Sequence, residues 1–261
     1  MQMTPLAEAP RATLRAVHTI LTDLDDTLTL NGRLPAAAYD ALERLEAAGL
    51  RLIVVTGRSA GWADLIARIW PVAGVIGENG GVAFRRDGAR LQRFHAGDEA
   101  ARATLMSIAK RILMAVPGSA LASDQPFRLF DVAIDHGEEV AKLPPEAVAR
   151  IVALFKEAGA KASASSCHVN GWLGDYDKLT AARRFLAEGF GVALEAEAPR
   201  ILFIGDSPND APLFEGLPLT VGVANLKRFV PQLKVLPTYL TKAEGGAGFT
   251  EMAEAILMAR L

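Results

Sequence analysis

The sequence predicts an α/β fold on a mainly parallel sheet, interrupted by a separate α+β unit. Three observations point there. Apolar strand patterns alternate with amphipathic helical ones along most of the 261 residues. Three of the apolar runs, at 20–22, 52–55 and 201–204, each end in a cluster of polar residues. From about Val82 to Trp172 the order changes to hairpin, helix, strand, helix and two short strands, the pattern of an insert.

The first strand runs through Ile20-Leu21-Thr22 into Asp23-Leu24-Asp25-Asp26-Thr27. Residues i and i+2 of a strand share a face, so Asp23 and Asp25 point at one ligand if the strand persists. If the chain turns after Asp23, one acid stands beneath the ligand and the other beside it. The plain alternative is an Asx-turn with Thr27 capping the next segment. Residues 35–48 read as a helix that buries Leu42 and Leu45 and ends at Gly49. The second strand runs into Thr56-Gly57-Arg58-Ser59 and then a helix over 59–70, ended by Pro71. Asn79-Gly80 is a strong two-residue turn signal.

The insert begins with a hairpin over 82–93 that turns at Asp87-Gly88, followed by a helix over 98–115. A strand over 129–134, a helix over 145–158 and strands at 162–165 and 168–172 complete it. The core resumes with a helix over 176–187, for which Asp175 is the expected cap, so that Lys178 sits in the first turn. A cation there opposes the helix dipole by a few tenths to about 1 kcal/mol, and this local cost invites a functional explanation over a solvated surface lysine.

The third strand ends in Gly205-Asp206-Ser207-Pro208-Asn209-Asp210. Ser207, Pro208 and Asp210 fit a helix start with a capping box, whereas Asp206 precedes the cap and has no helix role. Strands over 219–223 and 238–240 and a helix over 249–261 close the chain. Gly245-Gly246-Ala247-Gly248 lacks the G-x-G-x-x-G spacing of a dinucleotide loop and is expected to be the turn into that last helix.

In an open parallel sheet, ligands sit beyond the carboxyl ends of the strands, so the three polar ends are expected to converge. Two carboxylates about 4 Å apart repel by roughly 4 kcal/mol at an effective dielectric near 20. Asp23, Asp206 and Asp210 cannot all stay ionised together unaided; a hard divalent cation removes the difficulty, and Mg²⁺ tolerates few carboxylates supplemented by water and phosphate oxygens.

The ordered set Asp23-Leu24-Asp25-Asp26-Thr27, Thr56, Lys178 and Gly205-Asp206-Ser207-Pro208-Asn209-Asp210 resembles the four motifs of the haloacid dehalogenase superfamily of aspartate-nucleophile phosphohydrolases. The large gap between Thr56 and Lys178, with Glu78-Asn79-Gly80-Gly81 and Val221-Gly222-Val223-Ala224-Asn225, resembles its type IIB (Cof-like) branch. The resemblance implies a Rossmann-like core over 1–82 and 173–261 with an inserted α+β cap over 83–172. It implies Asp23 as nucleophile, Asp25 as general acid and base, and Lys178 as the cation neutralising the nucleophile. Thr56, with Gly57, would contact the phosphoryl group. Asp23, Asp206 and the Asp25 backbone carbonyl would hold Mg²⁺, with Asn209 and Asp210 supporting that shell. Asp25 should keep its side chain off the metal, because acid catalysis needs its proton.

The resemblance thus implies a Mg²⁺-dependent phosphatase for a small phosphate ester, a sugar phosphate first among them, working through an aspartyl-phosphate. The alternatives are a phosphomutase of the phosphomannomutase kind and a non-catalytic phosphometabolite-binding regulator. Cap residues Asp124, Gln125, Arg128, His168 and Asn170 are candidates for substrate contact, each also readable as loop polarity, and Asn79 is placed near the site by its motif.

The global numbers agree. The net charge of −2 argues against a nucleic-acid partner. The single cysteine, Cys167, precludes an internal disulfide and suits a reducing cytosol. Residues 1–15 have no continuous apolar stretch of signal-peptide kind, and no run approaches the roughly 20 apolar residues of a membrane span. A cytoplasmic location is expected. The four histidines lack the spacing of zinc sites, and none is expected to ligate metal.

Overall fold

The computed structural model describes residues 3–261. Its main sheet has nine strands, in the order Thr4–Pro5, Tyr239–Leu240, Leu219–Gly222, Ile201–Gly205, Thr19–Thr22, Arg51–Val55, Gly74–Gly77, Val82–Asp87 and Arg90–His95. The first seven run parallel, Val82–Asp87 pairs antiparallel with Gly74–Gly77, and Arg90–His95 pairs antiparallel with Val82–Asp87. From Thr19–Thr22 the chain first builds outward through Arg51–Val55, then returns to lay Ile201–Gly205 on the other side of the same strand. The crevice of this fold therefore opens where Thr19–Thr22 and Ile201–Gly205 leave the sheet side by side.

The strands alternate between two cores. Ile20, Leu52, Val54, Leu202 and Ile204 face the helices Ala36–Ala47, Ala60–Ile69 and Gly245–Arg260. Leu21, Ile53, Val55, Ile201 and Phe203 face Lys178–Phe190 and Ala211–Gly216. Both faces of the sheet are covered, which is why these strands read as continuous apolar runs. A fully buried side chain such as Phe203 contributes about 1.5–3 kcal/mol.

A second, four-stranded antiparallel sheet has the order Ala120–Leu121, Asp131–Asp135, His168–Trp172 and Lys161–Ala164. One face carries Val132, Ile134 and Val169 against the helices Arg102–Ala115 and Pro145–Glu157. Strand alternation turns Asp131, His168 and Asn170 to the opposite face, over the crevice of the main sheet.

Several elements differ from their sequence-based placement. The hairpin Val82–Asp87 and Arg90–His95 pairs with Gly74–Gly77 and so extends the main sheet instead of the insert's. The helix after the insert is Lys178–Phe190, capped by Asp177 and not by Asp175; Asp177 and Thr180 form a reciprocal capping box. Asp175 is exposed and pairs with Lys161 at 2.6 Å. Either aspartate satisfies the capping pattern, and only the next turn's partner decides between them. Gly245–Gly248 is the first turn of the last helix, not a loop before it. Its glycines let that turn approach the Leu28 and Thr29 carbonyls, where a Cβ on Gly246 or Gly245 would stand 2.5 or 2.6 Å away. Residues 3–16, which carry no clear element signal in the sequence, supply the edge strand and the helix Arg11–Ala16.

Candidate active site

Asp23 lies one residue beyond Thr19–Thr22, and its N–H still donates to the Ile204 carbonyl at 2.9 Å. Asp206 lies one residue beyond Ile201–Gly205. The paired strands thus deliver both carboxylates to the same edge, and with Asp210 their oxygens lie within 4.8 Å of one another. All three residues are buried. Lys178, at the first position of its helix, enters from the opposite side and donates from Nζ to Asp23 Oδ1 and Asp210 Oδ1, both at 2.7 Å. The helix dipole that disfavours a cation there is outweighed by two contacting carboxylates.

Asp210 closes the expected capping box, and does more. Its Oδ2 accepts from the Asp206 and Ser207 backbone N–H groups at 3.0 and 3.2 Å while Oδ1 holds Lys178. Gly205 makes room for this, since a Cβ there would stand 2.4 Å from Asp210 Oδ2. Asn225 donates to Asp206 Oδ2 at 3.1 Å and accepts from Gly245 N–H at 3.0 Å, so the last helix fixes the orientation of Asp206.

Lys178 contacts two of the three acids, Asp23 and Asp210, and the crowding of negative charge shows in the ionisation of Asp23 and Asp206. Burial, then the charge of Asp210, pushes Asp23 up to about 8 against the opposing pull of Lys178. Burial, then Asp23 and Asp210, raises Asp206 well above the usual carboxylate range. An added divalent cation would relieve both. The donors facing that point are oxygens only, which fits a hard ion such as Mg²⁺.

Asp25 is turned aside as the chain leaves the strand. Arg58 Nε donates to both its oxygens at 3.1 and 2.9 Å, and Nη2 to Oδ1 at 2.9 Å. The same guanidinium reaches Glu138 of the insert at 3.0 and 2.6 Å. Thr56 Oγ1 accepts from the Arg58 N–H at 3.0 Å, which leaves its own hydroxyl hydrogen free to donate. Gly57, Asn209 and His168 line the same space as Asp23, Asp25 and Asp206, with only about 10 Å³ left between them. That is room for about one water, so the insert is shut over the acids. Larger spaces flank it: about 380 Å³ beside Asp25, Arg58, Glu138 and Lys142, and about 430 Å³ beside Asn79, Ser163, Lys178 and Asn209.

Asn79 has left-handed backbone geometry, and its buried Nδ2 has no hydrogen-bond partner among the described residues. Glu78 before it also has a positive φ of 51°. Its carboxylate accepts from the N–H groups of Ala60, Leu129, Phe130 and Asp131, tying the insert to the core. Burial, then the charge of Asp131, raises Glu78 to about 7.

Arg128 does not reach the acids. It is fully buried in the joint between the two sheets, with Nε and Nη2 on Asp124 at 2.9 and 3.1 Å. Its Nη1 donates to Asp131 at 2.9 and 3.1 Å and to the Gly57 carbonyl at 2.9 Å. Gln125 is likewise spent on the backbone of Asp131 and Ala133. Asn170 donates to Gly57 O and Asp131 Oδ2 while bordering the crevice. His168 is buried, with Nε2 at 2.9 Å from Glu138 Oε2. Burial opposes its charge, but Cys167 and Glu138 raise it to about 9. Arg58, Glu138 and Asn225 are site residues that sequence reasoning misses, although Arg58 stands beside Thr56-Gly57 and Asn225 ends Val221-Gly222-Val223-Ala224-Asn225.

Residues 20–109 match the family model described as haloacid dehalogenase-like hydrolase, a stretch that starts at the strand carrying Asp23. Over that stretch the chain is similar to the haloacid dehalogenase-like hydrolases. The insert between Thr56 and Lys178 forms its own four-stranded sheet, as expected for a type IIB-like cap. The chain is 26% identical over 251 residues to a phosphoglycolate phosphatase of Methanobrevibacter smithii, covering 93% of this chain and 99% of that one. It is 28% identical over 250 residues to a phosphoglycolate phosphatase of Methanothermobacter thermautotrophicus, covering 90% and 96%. Among solved structures, the chain resembles Thermoplasma acidophilum 0175 in fold, with TM-score 0.70, 20% identity and coverage of 93% and 99%. It also resembles the C-terminal domain of C. albicans trehalose-6-phosphate phosphatase, with TM-score 0.69, 14% identity and coverage of 99% of each chain. No helix among the described residues is long and apolar enough to cross a membrane.

Proposed function

We propose that this hydrolase is a Mg²⁺-dependent phosphatase of small phosphorylated metabolites, acting through an aspartyl-phosphate on Asp23. The observation that carries the reading is the meeting of Asp23, Asp206 and Asp210 at the switch point of the sheet, with Lys178 touching Asp23 and Asp210. Asp23, Asp206 and the Asp25 carbonyl would hold the ion, while Asp210, with both oxygens occupied by protein donors, orients Lys178 and the Asp206 backbone. Bound Mg²⁺ supplies positive charge against the phosphoryl oxygens and the nucleophile.

Lys178 occupies Asp23 Oδ1, so Oδ2 attacks phosphorus and forms the new O–P bond. As the ester O–P bond breaks, the leaving oxygen takes a proton from Asp25. Asp25 then removes a proton from water, whose oxygen displaces Asp23 and releases phosphate. Thr56 and Gly57, with Lys178, bind the phosphoryl oxygens. Arg58 holds Asp25 between turns of the cycle and acts as a positioning residue.

The leaving group belongs on the Asp25 side, in the space of about 380 Å³ bordered by the insert. That volume lies in the range of small-molecule sites and accommodates a monosaccharide, which supports a sugar phosphate. The names of the two relatives support phosphoglycolate as a second reading. Access requires the cap to open, because the phosphoryl position itself is closed. The hairpin's pairing with the main sheet favours a cap that starts after His95, later than residue 83, and ends at Trp172. A cytoplasmic protein with a small phosphate ester as its only obligatory partner fits this reading.

The test is phosphate release from hexose phosphates and phosphoglycolate with Mg²⁺ and with chelator. Turnover that needs Mg²⁺ and vanishes in Asp23→Asn is expected. A phosphomutase would isomerise hexose phosphates with little phosphate release, and a regulator would bind without either.

A further inference from the structure

A second group of metal-ligating side chains lies in the cap, in the wall of the crevice. Glu138 follows the strand Asp131–Asp135, while Cys167 and His168 stand at the start of His168–Trp172, which pairs with it. The antiparallel register sets His168 opposite Asp135 and brings the two loops together. A carboxylate oxygen, the thiol sulfur and an imidazole nitrogen of these residues lie within 4.8 Å of one another.

His168 supplies the second observation. It is only 3% exposed, yet Nε2 has no hydrogen-bond partner among the described residues. Glu138 Oε2 is 2.9 Å from that nitrogen but not in hydrogen-bonding alignment with it. Glu138 and Cys167 both line the larger space of the crevice beside His168.

We infer that Glu138, Cys167 and His168 form a second metal site, selective for a Zn²⁺-like transition cation. One sulfur, one nitrogen and one oxygen donor make the three-ligand set with an open fourth position that Zn²⁺ accepts, at bond lengths of roughly 2.0–2.3 Å. The thiolate and imidazole favour such an ion over Mg²⁺, which prefers the all-oxygen cluster at Asp23. The ion replaces the protons on the thiol and imidazole. It also takes Glu138 Oε2 from Arg58 Nη1, leaving Oε1 to Nη2. Zinc spacing is absent from the sequence because Glu138 is distant along the chain and only sheet pairing supplies it.

Because Cys167 is the chain's only cysteine, a sulfur-to-metal signal reports on it alone. Tag-free, reduced, full-length protein is titrated with Co²⁺ in the presence of excess Mg²⁺. The expected result is a near-ultraviolet thiolate-to-cobalt charge-transfer band with tetrahedral d–d bands. Both saturate at one equivalent and are discharged by Zn²⁺. Cys167→Ser should lose the charge-transfer band, and His168→Gln should lose stoichiometric uptake, each with an unchanged circular dichroism spectrum. Absence of the band from wild-type protein, or its persistence at full strength in His168→Gln, overturns the site. Neither result depends on phosphatase activity, so failure here is distinct from failure of the proposed reaction.

Discussion

Replacing Arg128 by methionine separates two roles for the residue. Its guanidinium makes five hydrogen bonds, four to Asp124 and Asp131 and one to the Gly57 carbonyl, with no solvent exposure. Methionine fills much of the volume but leaves two carboxylates, with Glu78 beside them, without their cation. Breaking a buried pair by removing one partner costs about 3–5 kcal/mol. For a chain of this size that corresponds to a fall in Tm of roughly 6–20 °C. Arg128→Lys keeps the charge but cannot span both acids with a planar fork, so it should fall between wild type and Arg128→Met. Thermal and urea unfolding read these changes, and phosphate release at permissive temperature reads substrate affinity. A Tm within about 2 °C of wild type combined with a KM raised about tenfold would refute the structural assignment and return Arg128 to the substrate.

The geometry also fixes three other outcomes. Gly205→Ala puts a Cβ where Asp210 Oδ2 lies, and the displaced carboxylate releases Lys178 and the Asp206 backbone; kcat should fall about 100-fold or more, and near-normal turnover would contradict this. Lys178→Gln removes the cation touching Asp23 and should lower kcat by about 10²–10³, measured by phosphate release at saturating Mg²⁺. Glu78, raised to about 7 from an ordinary 4.5, binds a proton on folding between those values. Its contribution to stability therefore declines as pH rises through that window, by about 3 kcal/mol in all. Urea midpoints at about pH 5 and pH 8 should differ more for wild type than for Glu78→Gln, and equal differences would refute the assignment.

The core acids are legible in the sequence because their positions obey local rules. Apolar runs buried on both sheet faces mark the strands, and the polar residue just past each strand marks the crevice. Asp23, Asp206 and Lys178 need only the strand order to meet. Arg58 and Glu138 are not legible, because a guanidinium in a strand-to-helix loop has no local signature and its partner is in the insert. Arg128 reads as a substrate contact because an arginine in a loop between polar residues looks accessible. Its burial comes from the docking of one sheet on the other, which no local pattern encodes. Asp175 and Asp177 illustrate a smaller ambiguity: both are good caps, and the side chain of Thr180 selects Asp177. The hairpin over 82–95 carries strand signals suited to either sheet, and only pairing with Gly74–Gly77 assigns it.

The central claim, that Asp23 bonds covalently to phosphorus, is tested most directly by acid-quenching the enzyme during turnover with Mg²⁺ and mapping phosphorylation by mass spectrometry. One phosphoryl group on the peptide containing Asp23, absent from Asp23→Asn and without Mg²⁺, is the predicted result. Rapid phosphate release with that peptide unmodified at every quench time, or with the label on another residue, contradicts it.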